Sequence, residues 1–388
     1  MSEVRVNNLS NENNTGGPTI SGITTFSGSN FLVPPVGDTA SRPDNCPPGS
    51  LRFNTDSAHL EYYRGDTIGW VEIEAELTAP LGGTGGGGTG NRMIFMGGTD
   101  GSSTLDVIEF ITISTLGNAT DFGNLIASEM EGASCSSRIR GFYFGGDPAD
   151  NDIEFVTFAS TGNATDFGNL NSNSKSGAGC SDQTRGIMQL GYSSPSYQDN
   201  ISYITMATTG DALDFGDFSG NSGLGAACDS STRGVIARGY DGNYYLNTLE
   251  YVTISTLGDA TDFGDLTRSG VHSIMYSNAT RGVCHSGYQY PSSPNFMNVI
   301  DFITIASTGN AQDFGDSFLG GFGCGGASPT RGVAGGGYSA NAPTGESGGF
   351  TTIIDFIEIS TTGNSKDFGD LSVAKRHVKG ESNGHGGL

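Results

Sequence analysis

The sequence predicts an all-β protein, and three observations predict it. The stretch IEFITISTLGNATDFGNL at Ile108–Leu125 recurs from Ile153, Ile201, Leu249, Ile300 and Ile354. The aspartate of its DFG falls at Asp121, Asp166, Asp214, Asp262, Asp313 and Asp367, spaced by 45 to 54 residues. A period near 50 that carries strands is the period of propeller blades. The chain is also rich in glycine (63 residues) and only 15% charged, and its apolar residues are largely β-branched or aromatic, a composition suited to short strands and many turns. No segment sustains the 3.6-residue period of an amphipathic helix. The expected architecture is a six-bladed β-propeller over residues 92–388, behind a smaller N-terminal β module.

Residues 1–30 are rich in Asn, Ser, Thr and Gly. They read as an extended arm that orders against a partner, with a short strand at Ile20–Gly28. Residues 31–75 alternate as strands (SLRFN, LEYY, WVEI) between turns and predict a small β-meander with Phe53, Tyr62 and Trp70 on one face. A core this thin needs docking or oligomerisation to support it. Residues 76–91 form a linker whose run Gly82–Gly90 holds only Gly and Thr.

In the repeats, a small-residue strand such as GASCSS precedes an Arg-Gly strand beginning at Arg92, Arg140, Arg185, Arg233, Arg281 and Arg331 (RMIFMGG in the first). A variable loop, the I-[DE]-[FY] strand, a TGN or TGD turn and the DFG strand follow. Four strands per unit make one blade. The Arg is expected to bridge blades by bonding carbonyls or acids, the DFG phenylalanine to fill the space between blades, and the DFG aspartate to accept backbone N–H groups at the turn. The first repeat lacks a small-residue strand of its own. The expectation is that residues 377–383 supply it, closing the ring and removing two sheet edges.

The formal charge of −23 repels phosphate backbones and anionic bilayers, so no nucleic-acid partner is expected. No apolar run reaches about 18 residues, so no membrane insertion is expected. The polar N-terminus lacks a signal-peptide core, and synthesis in a cytoplasm is expected. The six cysteines form no CxxC. Cys135, Cys180 and Cys228 share one repeat position, which suits either a thiol ring on a metal or small, weakly polar packing groups; the packing reading is adopted. The five histidines make no nucleophile motif and no HExxH. The spacing of three in Asn118/Asp121/Asn124 and Asp211/Asp214/Asp217 suits Ca²⁺ ligation or turn capping. No catalytic residue, metal or cofactor is assigned. The loops between the second and third strands lengthen along the chain and carry Tyr197, Tyr244, Tyr245, Tyr290, Phe296 and Phe350. These six are the candidate binding residues, with rim packing as the alternative.

Two resemblances follow from these motifs. The pattern ASRP…PPGSLRFNTD…LEYYRGD…GWVEI at Ala40–Ile73 resembles a small β module of tail fibres and other appendages of tailed bacteriophages, especially those of marine cyanobacteria. The repeats resemble kelch-like propellers, with Phe where kelch carries Trp. The resemblance implies a non-enzymatic virion structural protein (a tail fibre, or a capsid or neck appendage) assembled in the host cytoplasm. It implies contacts to other virion proteins through the N-terminal region, a host-surface glycan or receptor as ligand, and a homo-oligomer, a trimer if a fibre. The alternatives are a carbohydrate-active propeller enzyme and a free lectin-like protein. Arg64–Asp66 reads as a plain turn.

Overall fold

The computed structural model describes residues 34–43, 46–56, 59–65, 69–73, 91–285, 287–289, 296–340 and 349–388. The arm at 1–30, nearly all of the linker and the candidate Tyr290 lie outside them. The chain divides into two units, Met1–Glu76 and Leu77–Leu388. Among the described residues every regular element except a 3-10 turn at Thr39–Ser41 is a strand, and no helix is long and apolar enough to cross a membrane.

The first unit holds one four-stranded sheet, Val36–Gly37, Leu51–Asn54, His59–Tyr63 and Trp70–Ile73, in that order. The first pair is parallel and the others antiparallel. Its register corrects one expectation. Tyr62 faces Leu51 and Val71, whereas Trp70 faces Tyr63. Successive residues of a strand point to opposite faces, so Trp70 lies on the face opposite Phe53 and Tyr62. There its ring sits 5.3 Å from that of buried Tyr63. This face also carries Arg52, Asn54 and Glu61, all buried. Glu61 accepts from Arg42 Nε at 3.0 Å and from Asn54 Nδ2 at 2.9 Å, and Arg52 Nη2 donates to the Asp38 carbonyl at 2.9 Å. Trp70 Nε1 donates to the Pro43 carbonyl. The polar letters of ASRP, LRFN and LEYY thus form one hydrogen-bonded network, with Arg52 Nη1 left over, that stands in for a larger apolar core.

Among the described residues the second unit holds six small sheets, I to VI, with antiparallel neighbours; II, IV, V and VI each have four strands in chain order. Sheet IV is representative: Ala226–Asp229, Arg233–Ala237, Thr248–Thr253 and Thr261–Asp265. Sheet III adds the short strand Tyr192–Ser193. Sheet I takes its first strand from the far end of the chain, where Lys379–Ser382 pairs antiparallel with Arg92–Met96. The first strand of each sheet neighbours the first strands of the sheets before and after it, VI on I and I on II included.

Four interactions recur between consecutive sheets, and they account for the repeated letters. First, each repeat Arg lies over an aromatic ring of its own third strand and donates to a carbonyl of the next sheet. Arg233 sits 4.2 Å from the Tyr251 ring and bonds Ile305 O at 2.9 Å. Arg331 of sheet VI bonds Ile113 O of sheet I at 3.0 Å. Second, the turn Asn or Asp accepts a backbone N–H from the fourth strand of the preceding sheet, as Asn310 does from Asp265 and Asn118 of sheet I does from Asp370 of sheet VI. The DFG aspartates do not take this role. They are exposed on the fourth strand, because the capped N–H group belongs to a residue further along that strand. Third, the acid of the I-[DE]-[FY] strand is buried at Glu109, Glu154, Glu250, Asp301 and Asp355. It accepts a backbone N–H at or just beyond the end of the preceding fourth strand, at Ser372, Ile126, Thr267 and Phe318 for Glu109, Glu154, Asp301 and Asp355, and at Ser219 within the longer strand Leu213–Ser222 for Glu250. These bonds offset the cost of burying the acid, and Glu109 and Glu250 are also paired with Lys375 and Arg238, at 2.7 and 3.0 Å. Fourth, the DFG phenylalanines are buried between sheets, with Phe122 packed among Ile94 and Ile108 of sheet I and Tyr143 and Val156 of sheet II.

Candidate functional site

The loop aromatics gather into two clusters. Tyr197 belongs to the strand Ser196–Thr205 rather than to a loop, and its ring lies 5.2 Å from Tyr192 and 5.7 Å from Tyr240. Tyr240 in turn contacts Tyr245 at 5.3 Å. Tyr244 stands 71% exposed beside this group. In the second cluster Phe296 stacks on Tyr338 at 4.3 Å and contacts Tyr288, while Phe350 meets Tyr338 at 5.2 Å under the Arg376 guanidinium. The rings are half-buried, so each packs on its neighbours and leaves part of its surface to solvent. Of the five described candidates, Tyr244 alone is freely exposed; the others combine rim packing with partial display.

The second cluster leads to a set of residues that the letters did not point to. Glu131, Ser176, Leu224, His272, Phe322 and His377 occupy one position each, just ahead of the first strand of sheets II, III, IV, V, VI and I. All six have positive φ, between 52° and 67°. Their backbones form a cycle of hydrogen bonds: Ser176 N–H donates to Glu131, Leu224 to Ser176, His272 to Leu224, Phe322 to His272, His377 to Phe322 and Glu131 to His377. Left-handed backbone is costly for residues with a Cβ. Here the six bonds hold it. Phe322 stacks on His272 at 4.0 Å and touches Tyr288 and Tyr338, joining the aromatic cluster to the cycle. The side chain of Glu131 lies 3.0 Å from His377 Nδ1 and accepts from Ser176 Oγ at 2.9 Å. Burial pushes both histidines down, His377 to about 3, so both rings are neutral at pH 7. The position varies from repeat to repeat, so only superposing the six repeats could have singled it out.

Residues at the first strands of all six sheets line a partly open cavity of about 40 Å³. Lys379 and Glu381 are its charged lining residues, and burial raises the Glu381 carboxyl to about 8. At the far end the C-terminal residues Asn383–Gly387 are buried. His385 Nδ1 lies 2.7 Å from Asp229 Oδ1, and its Nε2 lies 3.1 Å from the Ser136 carbonyl. Burial alone would lower His385, but the charges of Asp229 and Glu381 outweigh it and bring the imidazole up to about 9.

Cys135, Cys180 and Cys228 are free and buried. Each Sγ packs on the glycine of the next Arg-Gly strand: a Cβ at Gly186, Gly234 or Gly282 would lie 2.3–2.6 Å from it. Burial pushes these thiols up. They serve as close-packing groups between sheets. The turn residues Asn118 and Asp211, weighed as Ca²⁺ ligands, are occupied in capping neighbouring N–H groups. Comparison with protein-family models and with curated proteins finds no match to this chain.

Proposed function

We propose that the chain is a non-enzymatic structural protein of a phage particle. In this reading the first unit attaches it through other virion proteins, and the six sheets form a six-bladed β-propeller that displays a binding face. Three interactions recur from each sheet to the next and a fourth, the buried acid, at five of the six junctions (Ser202 takes its place in sheet III); with the last sheet returning to the first, this supports the propeller. The observation that carries the functional reading is the contrast between its interior and its face. The cavity of about 40 Å³ has room for a water or two, whereas small-molecule sites span about 300–1,000 Å³. The partly displayed tyrosine and phenylalanine clusters offer instead the flat amphipathic surface that sugars and protein segments use. The similarity of Ala40–Ile73 to phage appendage modules supplies the virion setting.

Two measurements test this. Mass spectrometry of purified particles should find the chain in them, and its absence from intact particles overturns the virion assignment. A glycan array probed with the full chain should show binding without release of sugar, weakened several-fold by Tyr244→Ala. Turnover of a bound glycan would reassign the protein as a carbohydrate-active enzyme.

A further inference from the structure

We propose that Glu131, His272 and His377 form a binding site for one divalent transition-metal ion of the zinc class, which staples three of the six repeats together at the backbone cycle. The proposal stands independently of the virion reading. One ligand atom from each residue can be chosen so that all three lie within 4.8 Å of one another. In a tetrahedral zinc site with bonds of about 2.0–2.2 Å, ligand atoms sit roughly 3.4 Å apart. His377 Nδ1 and Glu131 Oε1 are already 3.0 Å apart, so a small adjustment of the ring of His272 completes the set.

A second observation points the same way. His377 is 7% exposed, and its Nδ1 is buried, 3.0 Å from Glu131 Oε1 without making a well-formed hydrogen bond to it. Such an atom needs a reason. Glu131, His272 and His377 line a cavity of about 10 Å³ together with buried Lys379, at the lower limit of the space that holds one water. Two imidazoles and one carboxylate are a donor set suited to zinc and its neighbours. The other carboxylate oxygen, Glu131 Oε2, accepts from Ser176 Oγ at 2.9 Å. That is the kind of outer contact that orients a ligating carboxylate. The three ligands come from the segments opening sheets II, V and I, and the His377 segment is the one that brings the last strand of the chain back to the first repeat.

The test uses the full chain, stripped with EDTA and titrated with Zn²⁺ by calorimetry, with bound metal counted by mass spectrometry. The chain itself supplies suitable variants, because Ser176, Phe322 and Leu224 hold the same positive-φ position in other repeats. Glu131→Ser, His272→Phe and His377→Leu should therefore keep the metal-free melting temperature near that of the wild type. The expected result is one Zn²⁺ per wild-type chain, a metal-dependent rise in melting temperature, and affinity at least 100-fold lower in each variant. Ser176→Ala, a positioning change, should cost about tenfold. Co²⁺ titrated into the wild type should give the visible absorption of a four-coordinate site, a readout that needs no variant to fold. Zinc binding equal in wild type and all three variants, or no binding by the wild type, overturns the proposal.

Discussion

The glycine of the DFG strand shows how a single residue sets the distance between sheets. Its Cα faces the turn glycine of the next repeat so closely that a Cβ at Gly264 would lie 2.5 Å from Gly309 O, and its φ is 142°. The same contact recurs at all six fourth strands, with Gly369 of sheet VI meeting Gly117 of sheet I at 2.4 Å. Gly162, by contrast, would place a Cβ in open space. Gly264→Ala is therefore expected to destabilise the second unit by about 1–3 kcal/mol, the usual cost of overpacking. Gly162→Ala should stay within about 0.5 kcal/mol of wild type. Chemical denaturation followed by far-ultraviolet circular dichroism separates the two, and equal midpoints would show that the repeats are not in this contact.

At the scale of elements, the first unit depends on its buried polar network. Glu61 is held below the ordinary carboxylate range, chiefly by its hydrogen bond from Arg42, with Asn54 adding to it. A lowered folded-state value means stability that is present above about pH 4.5, the unfolded value, and is lost as the pH falls through the folded one. Glu61→Gln takes the counter-charge from buried Arg52 and from Arg42, which is 30% exposed, and is expected to cost about 1–3 kcal/mol. Trp70 is the chain's single tryptophan, so its fluorescence reports this unit alone. The wild-type midpoint should hold from pH 7 to about 4.5 and fall on acidification below it, and Glu61→Gln should be less stable at pH 7 and lose less on acidification.

The elements were legible in the sequence to different depths. The period and the Arg-Gly strands were readable because each copy repeats the same contact, and the strand expected at 377–383 sits beside Arg92–Met96 as Lys379–Ser382. The buried acids were harder to read. An acid alternating with apolar residues looks like a solvent-facing position, and only the neighbouring repeat's N–H groups explain Glu250 or Asp301 inside. The face of Trp70 depended on register across a turn, which local alternation does not fix. Glu131, His272 and His377 were illegible because their meeting is created by six segments converging, with no fixed spacing between the letters.

For the molecule as a whole, the chain's last residues carry unusual weight. Lys379–Ser382 completes sheet I, and His385 fills the far end of the space between the first strands. His385 is raised to about 9, so its pairing with Asp229 contributes stability fully below pH 6.5 and loses it as the pH rises through 9. Glu381, raised to about 8, loses its contribution in the same direction, between pH 4.5 and 8. Melting temperature should therefore decline from pH 6.5 to 9.5 in the wild type and decline less in Asp229→Asn, a comparison made by calorimetry.

The central claim is that the six repeats form one closed cycle, and pulsed electron spin resonance between equivalent turns tests it most directly. Leu116, Thr161 and Thr362 each precede a turn glycine in repeats one, two and six, and all three are exposed. Spin labels are placed through Leu116→Cys with Thr161→Cys, and through Leu116→Cys with Thr362→Cys. Both pairs are made in a Cys46→Ser background, because the other native cysteines are buried. A closed cycle makes repeat six as near to repeat one as repeat two is, so the two pairs should give the same distance distribution. A distance for the 116/362 pair several times that of the 116/161 pair would mean an open row of sheets and would contradict the account.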